Sequence, residues 1–199
     1  PVEIKRRSGV AVVDTDEGPR ETTSFEALSA LTPVFTKEAP AEVKEHVVTA
    51  GNAPGLNDGA AAVVVTSLEY AQAHGLEIDA LISAYTSSAT QPKDIFFAPI
   101  IAVKQLSKIQ RTSVQDYDLV ELNEAFSVQA IANIRGLELN QERVNVHGGA
   151  IALGHPIGAS GTRIVVTLLG AMEQHGSATG LATLCLGGGN AVAISLEKV

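Results

Sequence analysis

The chain has little cysteine: Cys185 is the one thiol in 199 residues, so no internal disulfide can form and a reducing compartment is expected. It has no apolar run long enough to span a bilayer, which excludes a transmembrane helix. It has no basic stripe. Its 14 Lys and Arg are outnumbered by 22 Asp and Glu, for a net charge of -8, and binding to nucleic acid by neutralising phosphates is excluded. No signal peptide opens the chain, because residues 1–7 run straight into charge. An initiator methionine is missing too: the chain starts at Pro1 and its single methionine is Met172. Processing, or a piece cut from a longer polypeptide, is the expected reason. The expected location is the cytoplasm, with mitochondrion and peroxisome left open.

What is present is a globular composition. Hydrophobic residues make up 45% and charged residues 18%, enough for one core or two small domains and too apolar for disorder. Residues 1–57 read as irregular, a loop or linker region with a strand at 9–13 and a short helix at 24–31 capped by Ser24. From 58 to 199 the pattern is regular and reads as one domain. Strands are expected at 60–66, 80–87, 118–122, 144–146, 181–185 and 191–196, with helices at 67–74, 99–109, 123–135 and 158–175. The 60–66 run, Ala-Ala-Ala-Val-Val-Val-Thr, reads as a buried strand. Strands alternating with helices and ending in a strand pair predict an α/β layered domain.

Three loops stand out, and each follows a strand. Asn123-Glu124-Ala125-Phe126 opens a helix. Asn123 reads either as its N-cap, with Glu124 suiting the dipole, or as an amide at the strand end where open α/β sheets place ligands. The second loop runs from His147 to Gly161 and holds five glycines, which points to close backbone approach. It lacks the lysine of a P-loop and the spacing of a dinucleotide fingerprint. His155, fixed between Gly154 and Pro156, is the candidate for chemistry, and His147 reads as the structural partner. The third is Cys185-Leu186-Gly187-Gly188-Gly189. A cysteine ending a strand reads as an inert small hydrophobe, but three glycines after it leave backbone N–H groups free to face a developing oxyanion.

If the strands are parallel neighbours, Asn123, His155 and Cys185 converge at one sheet edge. An amide, an imidazole and a thiol suit acyl-thioester chemistry. With one thiol, the chain cannot supply both a covalent nucleophile and a cysteine acid/base.

These segments resemble the three carboxyl-terminal signatures of the thiolases, in order: Asn-Glu-Ala-Phe at 123–126, Gly-His-Pro at 154–156 and Cys-x-Gly-Gly-Gly at 185–189. The loop Ala50-Gly51-Asn52-Ala53…Asn57-Asp58-Gly59-Ala60 looks like a fourth, and Asn145-Val146-His147-Gly148-Gly149 is similar to the short-chain, acetoacetyl-handling members. The resemblance covers essentially the whole chain and implies the carboxyl-terminal half of a layered αβαβα fold. It implies a reversible Claisen condensation of two acetyl-CoA to acetoacetyl-CoA and CoA. The alternatives are a degradative 3-ketoacyl-CoA thiolase and a non-catalytic CoA-binding or assembly half.

By the same resemblance, an amino-terminal half supplies the cysteine that becomes acylated, and His155 activates it. Cys185 moves the α-proton of the second thioester, and Asn123 holds a water that, with His155, stabilises the enolate oxygen. The Gly187 N–H binds the acyl oxyanion, and Phe126 lines the acyl pocket. No metal and no cofactor is implied, since CoA thioesters are the substrates, and a homodimer or tetramer in lipid metabolism is expected. Two departures stand out. Pro54 replaces the serine of a loop that meets the pantetheine arm, and Phe96-Phe97-Ala98-Pro99 replaces a glycine-rich segment.

Overall fold

The computed structural model describes all 199 residues. An antiparallel hairpin of β1 (Val2–Arg6) and β2 (Gly9–Val13) comes first, followed by the short helices α1 (Phe25–Ser29) and α2 (Leu68–Ala73). Then come β3 (Leu81–Ala89), α3 (Ala98–Gln110), β4 (Leu119–Leu122), α4 (Ser127–Gly136), the single turn α5 (Ala150–Leu153), α6 (Ser160–His175), β5 (Thr179–Leu186) and β6 (Asn190–Glu197). No helix is long and apolar enough to cross a membrane.

The last four strands form one mixed sheet in the order β3-β6-β5-β4, covered by helices, which is the α/β layered arrangement expected. β4 runs parallel to β5, with Leu122 opposite Thr183, and Val144 adds a parallel bridge to Val120. The chain therefore leaves Val144, β4 and β5 at the same end of the sheet, and the three signature loops follow from there. β6 is antiparallel to both β5 and β3.

Strand alternation sends Val120, Leu122 and Leu181 to one face, where Ala102, Val103 and Leu106 of α3 pack on them. Leu119, Ala182 and Leu184 point the other way, onto Ile164, Leu168 and Met172 of α6. Those three helical residues recur every four positions and so make one stripe. α6 comes in so close that a Cβ on Gly180 would sit 2.6 Å from Met172 Sδ. Leu168 is fully buried, and truncating it to alanine should cost about 2–5 kcal/mol.

Four expectations are corrected. Residues 60–66 form no strand: Val64 is 92% and Val65 69% exposed, because no strand of this chain lies beside them to complete the ladder. Residues 2–6, read as irregular, pair with β2 because Gly9 takes φ +128 and closes the turn. Residues 144–146 make one bridge rather than a strand. The helix expected from Asn123 begins at Ser127 and runs through Gly136, and its N-cap is Phe126.

Candidate active site

β4 is short, and side chains finish its end. Asn145, held at φ +50, offers its amide as a surrogate strand: Leu122 N donates to Asn145 Oδ1 at 2.8 Å, and Asn145 Nδ2 donates to Leu122 O at 2.9 Å. The next residue, Asn123, extends the ladder by donating its N–H to Thr183 O at 3.1 Å. Asn123 is 1% exposed and caps no helix, which removes the structural half of its sequence reading. Glu124 is not a first-turn helix residue either. Its carboxylate accepts from Asn145 Nδ2 at 3.2 Å and from Ile151 N at 2.9 Å, clasping the glycine loop to β4. It occupies the space a Cβ on Gly149 would need, so a packed carboxylate explains that glycine.

His155 follows the turn of α5. Gly154 adopts φ +94, and the Asn57 amide fills the position of its missing Cβ. The loop around Pro54 lies against this turn: His155 N donates to Gly55 O at 3.4 Å, and Ser127 N donates to Asn52 O at 3.0 Å. Pro54 itself is half-buried.

The proton on His155 can be placed by counting. Arg163, a donor only, lies 3.5 Å from Asn123 Oδ1, so the donor end of the amide, Nδ2, is the one that faces His155 Nε2 and calls for an acceptor there. With Nε2 as acceptor the neutral ring carries its hydrogen on Nδ1, and the 2.6 Å contact with Ser160 Oγ runs from Nδ1–H to the hydroxyl oxygen. That leaves Nε2 with a lone pair, facing Asn123 Nδ2 at 3.4 Å. Burial, and secondly the positive charge of Arg163, hold the imidazole pKa below its ordinary value, so the neutral ring is favoured. An unprotonated nitrogen with a fixed tautomer is what a general base requires.

Cys185 stands near the end of β5, across from Ala191, and its thiol forms no hydrogen bond with His155 or Asn123. Burial pushes the thiol pKa up, so the resting form is SH rather than thiolate. The glycines after it build the turn into β6. Gly188 (φ +83) and Gly189 (φ +95) take left-handed backbone, and Gly189 faces the Thr90 carbonyl where a Cβ would reach 2.6 Å. Gly187 needs neither: its φ is ordinary for any residue, and nothing lies within 4 Å of the position its Cβ would take. Phe126 is half-buried in an aromatic cluster, edge-on to Phe96 at 5.5 Å and to Phe35 at 6.4 Å.

Three members of this site are absent from the sequence reading: Ser160, Arg163 and Glu121. Arg163 Nη2 reaches Asn123 Oδ1 at 3.5 Å, and its Nη1 lies 3.5 Å from Glu121 Oε2. Glu121 had a visible signal, a carboxylate in an otherwise apolar strand. An apolar groove of about 900 Å³ lies away from His155. It runs along the sheet beside α6, between Tyr85, Val165, Leu184 and Ile194. No group of His, Cys, Asp and Glu is arranged to ligate a metal.

Comparison with known proteins agrees with this geometry. The family model described as Thiolase, C-terminal domain matches residues 76–198, and that of the Thiolase, N-terminal domain matches residues 1–69. The acetyl-CoA acetyltransferase of Paracoccus denitrificans is 48% identical over 198 residues, and a beta-ketoadipyl-CoA thiolase of Pseudomonas knackmussii is 43% identical over 201. The crystal structure of the Bacillus anthracis acetyl-CoA acetyltransferase superposes with a TM-score of 0.90 at 40% identity. Each match covers 100% of this chain, which spans 48–49% of the length of those proteins. With its three signature loops at one end of a mixed sheet and a family match across most of its length, the chain belongs to the thiolase family.

Proposed function

We propose that this chain is the carboxyl-terminal half of an acetyl-CoA C-acetyltransferase, which joins two acetyl-CoA into acetoacetyl-CoA and CoA and runs in reverse. The observation that carries this reading is the Asn123–His155 pair, 3.4 Å apart, with an unprotonated Nε2 at the sheet end where Cys185 also stands. The α-hydrogen of a thioester is a weak acid, so a base and a donor for the enolate oxygen must act together.

In this reading His155 Nε2 takes the proton of a nucleophilic cysteine supplied by an amino-terminal half. The resulting imidazolium N–H and the Asn123 amide, through a water, then stabilise the enolate oxygen. Cys185, which rests as a thiol, gives its proton to the departing CoA thiolate in acylation, and the Cys185 thiolate left behind accepts the α-proton of the second thioester. Gly187, a glycine that its own turn does not require, leaves its N–H open to an acyl oxyanion. Phe126, closed in by Phe96 and Phe35, favours a short acyl group over the chains of a degradative thiolase.

The missing half is supported by the 49% coverage of the relatives, by the single thiol, and by the unpaired run at 60–66. A homodimer or tetramer is supported by the β1–β2 hairpin, since a two-stranded hairpin exposing Val2, Val10 and Val12 is marginal alone. The test is thiolysis of acetoacetyl-CoA and of longer 3-ketoacyl-CoA by this chain, alone and with the amino-terminal half. Turnover only with both, and fastest on acetoacetyl-CoA, is expected. Turnover by the isolated chain overturns the split site, preference for long chains overturns the substrate, and inertness with both halves overturns the activity.

A further inference from the structure

Glu121 is a carboxylate where the fold calls for an apolar side chain. It lies inside β4, 2% exposed, two residues before Asn123, so both side chains leave the same face of the strand toward α6. Arg163 of α6 sits between them, Nη1 3.5 Å from Glu121 Oε2 and Nη2 3.5 Å from Asn123 Oδ1. Arg163 Nη1 and Nε and Glu121 Oε2 are buried without a hydrogen-bond partner. A buried ion pair with unsatisfied atoms is a poor way to stabilise a core, because well-packed apolar residues commonly do as well or better. Its position suggests another use.

We infer that Arg163, anchored by Glu121, is a positioning residue that fixes which way the Asn123 amide faces. This rests on the reading of Asn123 and His155 given above. An asparagine amide can sit in two orientations with nearly the same shape. In the observed one, Oδ1 accepts from Arg163 and Nδ2 donates toward the lone pair on His155 Nε2. Flipped, the NH₂ would face the guanidinium, donor against donor, and Oδ1 would face the Nε2 lone pair, acceptor against acceptor. Arg163 therefore blocks the flip. Ser160 lies three residues earlier on α6, one helical turn away, and holds Nδ1. One turn of one helix thus sets both the tautomer of the imidazole and the polarity of the amide opposite it.

The test reads the His155 tautomer by nitrogen-15 chemical shifts in the complete protein, with kcat and KM for acetoacetyl-CoA measured beside it. In the unmodified protein the Nδ1–H form should dominate at neutral pH, and finding Nε2–H there overturns the inference. R163M should give a mixture of tautomers and lower kcat roughly ten- to hundred-fold with KM little changed, as loss of orientation does. Because R163M strands a carboxylate, the double variant E121L/R163M, which leaves no buried charge, is measured as well. The double variant decides: a mixture in the folded E121L/R163M protein supports the inference, and a pure Nδ1–H ring with intact kcat there overturns it. The tautomer needs no turnover to be read. A protein with no thiolase activity but with the predicted shifts would sink the functional reading and leave the positioning role standing.

Discussion

Residues 1–79 and residues 80–199 behave as different materials. Of the 37 buried residues, only Thr49 and Ala71 fall in the first region; the two core clusters lie wholly in the second. The difference is not one of apolar content, since Val2, Val10, Val12, Val64 and Val65 are all exposed. It is one of partners. From Leu81 on, most apolar faces meet another made by the same chain, the groove beside α6 excepted, whereas the earlier segments carry strand-type sequence with nothing beside it. Hydrophobicity decides that a segment needs burial, and the neighbouring chain decides whether it is buried.

Amide exchange offers the largest contrast. In the isolated chain, residues 60–66 should exchange near the rate of an unfolded peptide, while β5 and β6 are protected. Supplying the amino-terminal half should protect 60–66 by orders of magnitude. A run that stays open in the complete protein would mean that its lack of pairing is intrinsic.

The second region is predicted to carry two separable steps. With both halves present, His155→Ala should slow acylation of the upstream cysteine on the order of a hundred-fold or more, because the base is gone. Cys185→Ser should still acylate, seen as a mass increase on the other half, yet fail to condense. Loss of acylation in a folded Cys185→Ser protein would reverse the roles.

Asn123→Asp comes next. It replaces a donor by a carboxylate opposite the Nε2 lone pair and should raise the barrier to condensation by roughly 3 kcal/mol. It should also raise the His155 pKa, moving the acid limb of the acylation rate upward from its position below the ordinary histidine value. An unchanged limb would show that the two side chains do not communicate.

Smaller effects follow from Glu121 and Pro54. Burial pushes the Glu121 carboxyl up to about 7, against the pull of Arg163 and with a further rise from Glu124. A carboxyl whose folded pKa exceeds its unfolded value costs stability above the folded value, and the cost fades as pH falls toward the unfolded one. Melting temperature should therefore gain more from about pH 8 to about pH 5 in the unmodified protein than in E121Q. Parallel curves would show that Glu121 keeps its ordinary pKa. Pro54→Ser restores a hydroxyl to the loop that laps onto His155. It should lower KM for the CoA thioester a few-fold, in line with about 1 kcal/mol for one hydrogen bond, and leave kcat alone.

What was legible in the sequence divides along the same line. β3, α3, β4, α6, β5 and β6 show themselves because their apolar spacing is matched by partners within the chain. Residues 60–66 read as a strand for the same reason and are not one, since pairing is a property of two segments. Asn123 carried a cap signal, an Asn with a Glu behind it before an apolar helix, and the structure starts that helix four residues later. Its neighbour Glu124 spends its charge on Asn145 and Ile151, 21 and 27 residues away. Arg163 was hidden in the same way, being 40 residues from the asparagine it touches, a distance no local pattern reports. His155, Cys185 and the glycines were legible because glycine-rich turns after strands leave a local mark.

Ser160 has a consequence for how protons travel. Its oxygen sits 2.6 Å from His155 Nδ1, and beyond it lies the Pro156 carbonyl at 3.0 Å, already accepting from Ala159 N and Ser160 N, so with Nε2 facing the Asn123 amide the Nδ1 side is plugged. A proton that arrives at Nε2 has no way out through the far side of the ring. It leaves by the nitrogen it entered, and the ring acts as a cul-de-sac rather than a wire. In the proposed reaction such a base returns what it borrows: the proton taken from the nucleophilic cysteine during acylation goes back to that sulfur when the acyl group leaves it, without drawing on the solvent behind α6.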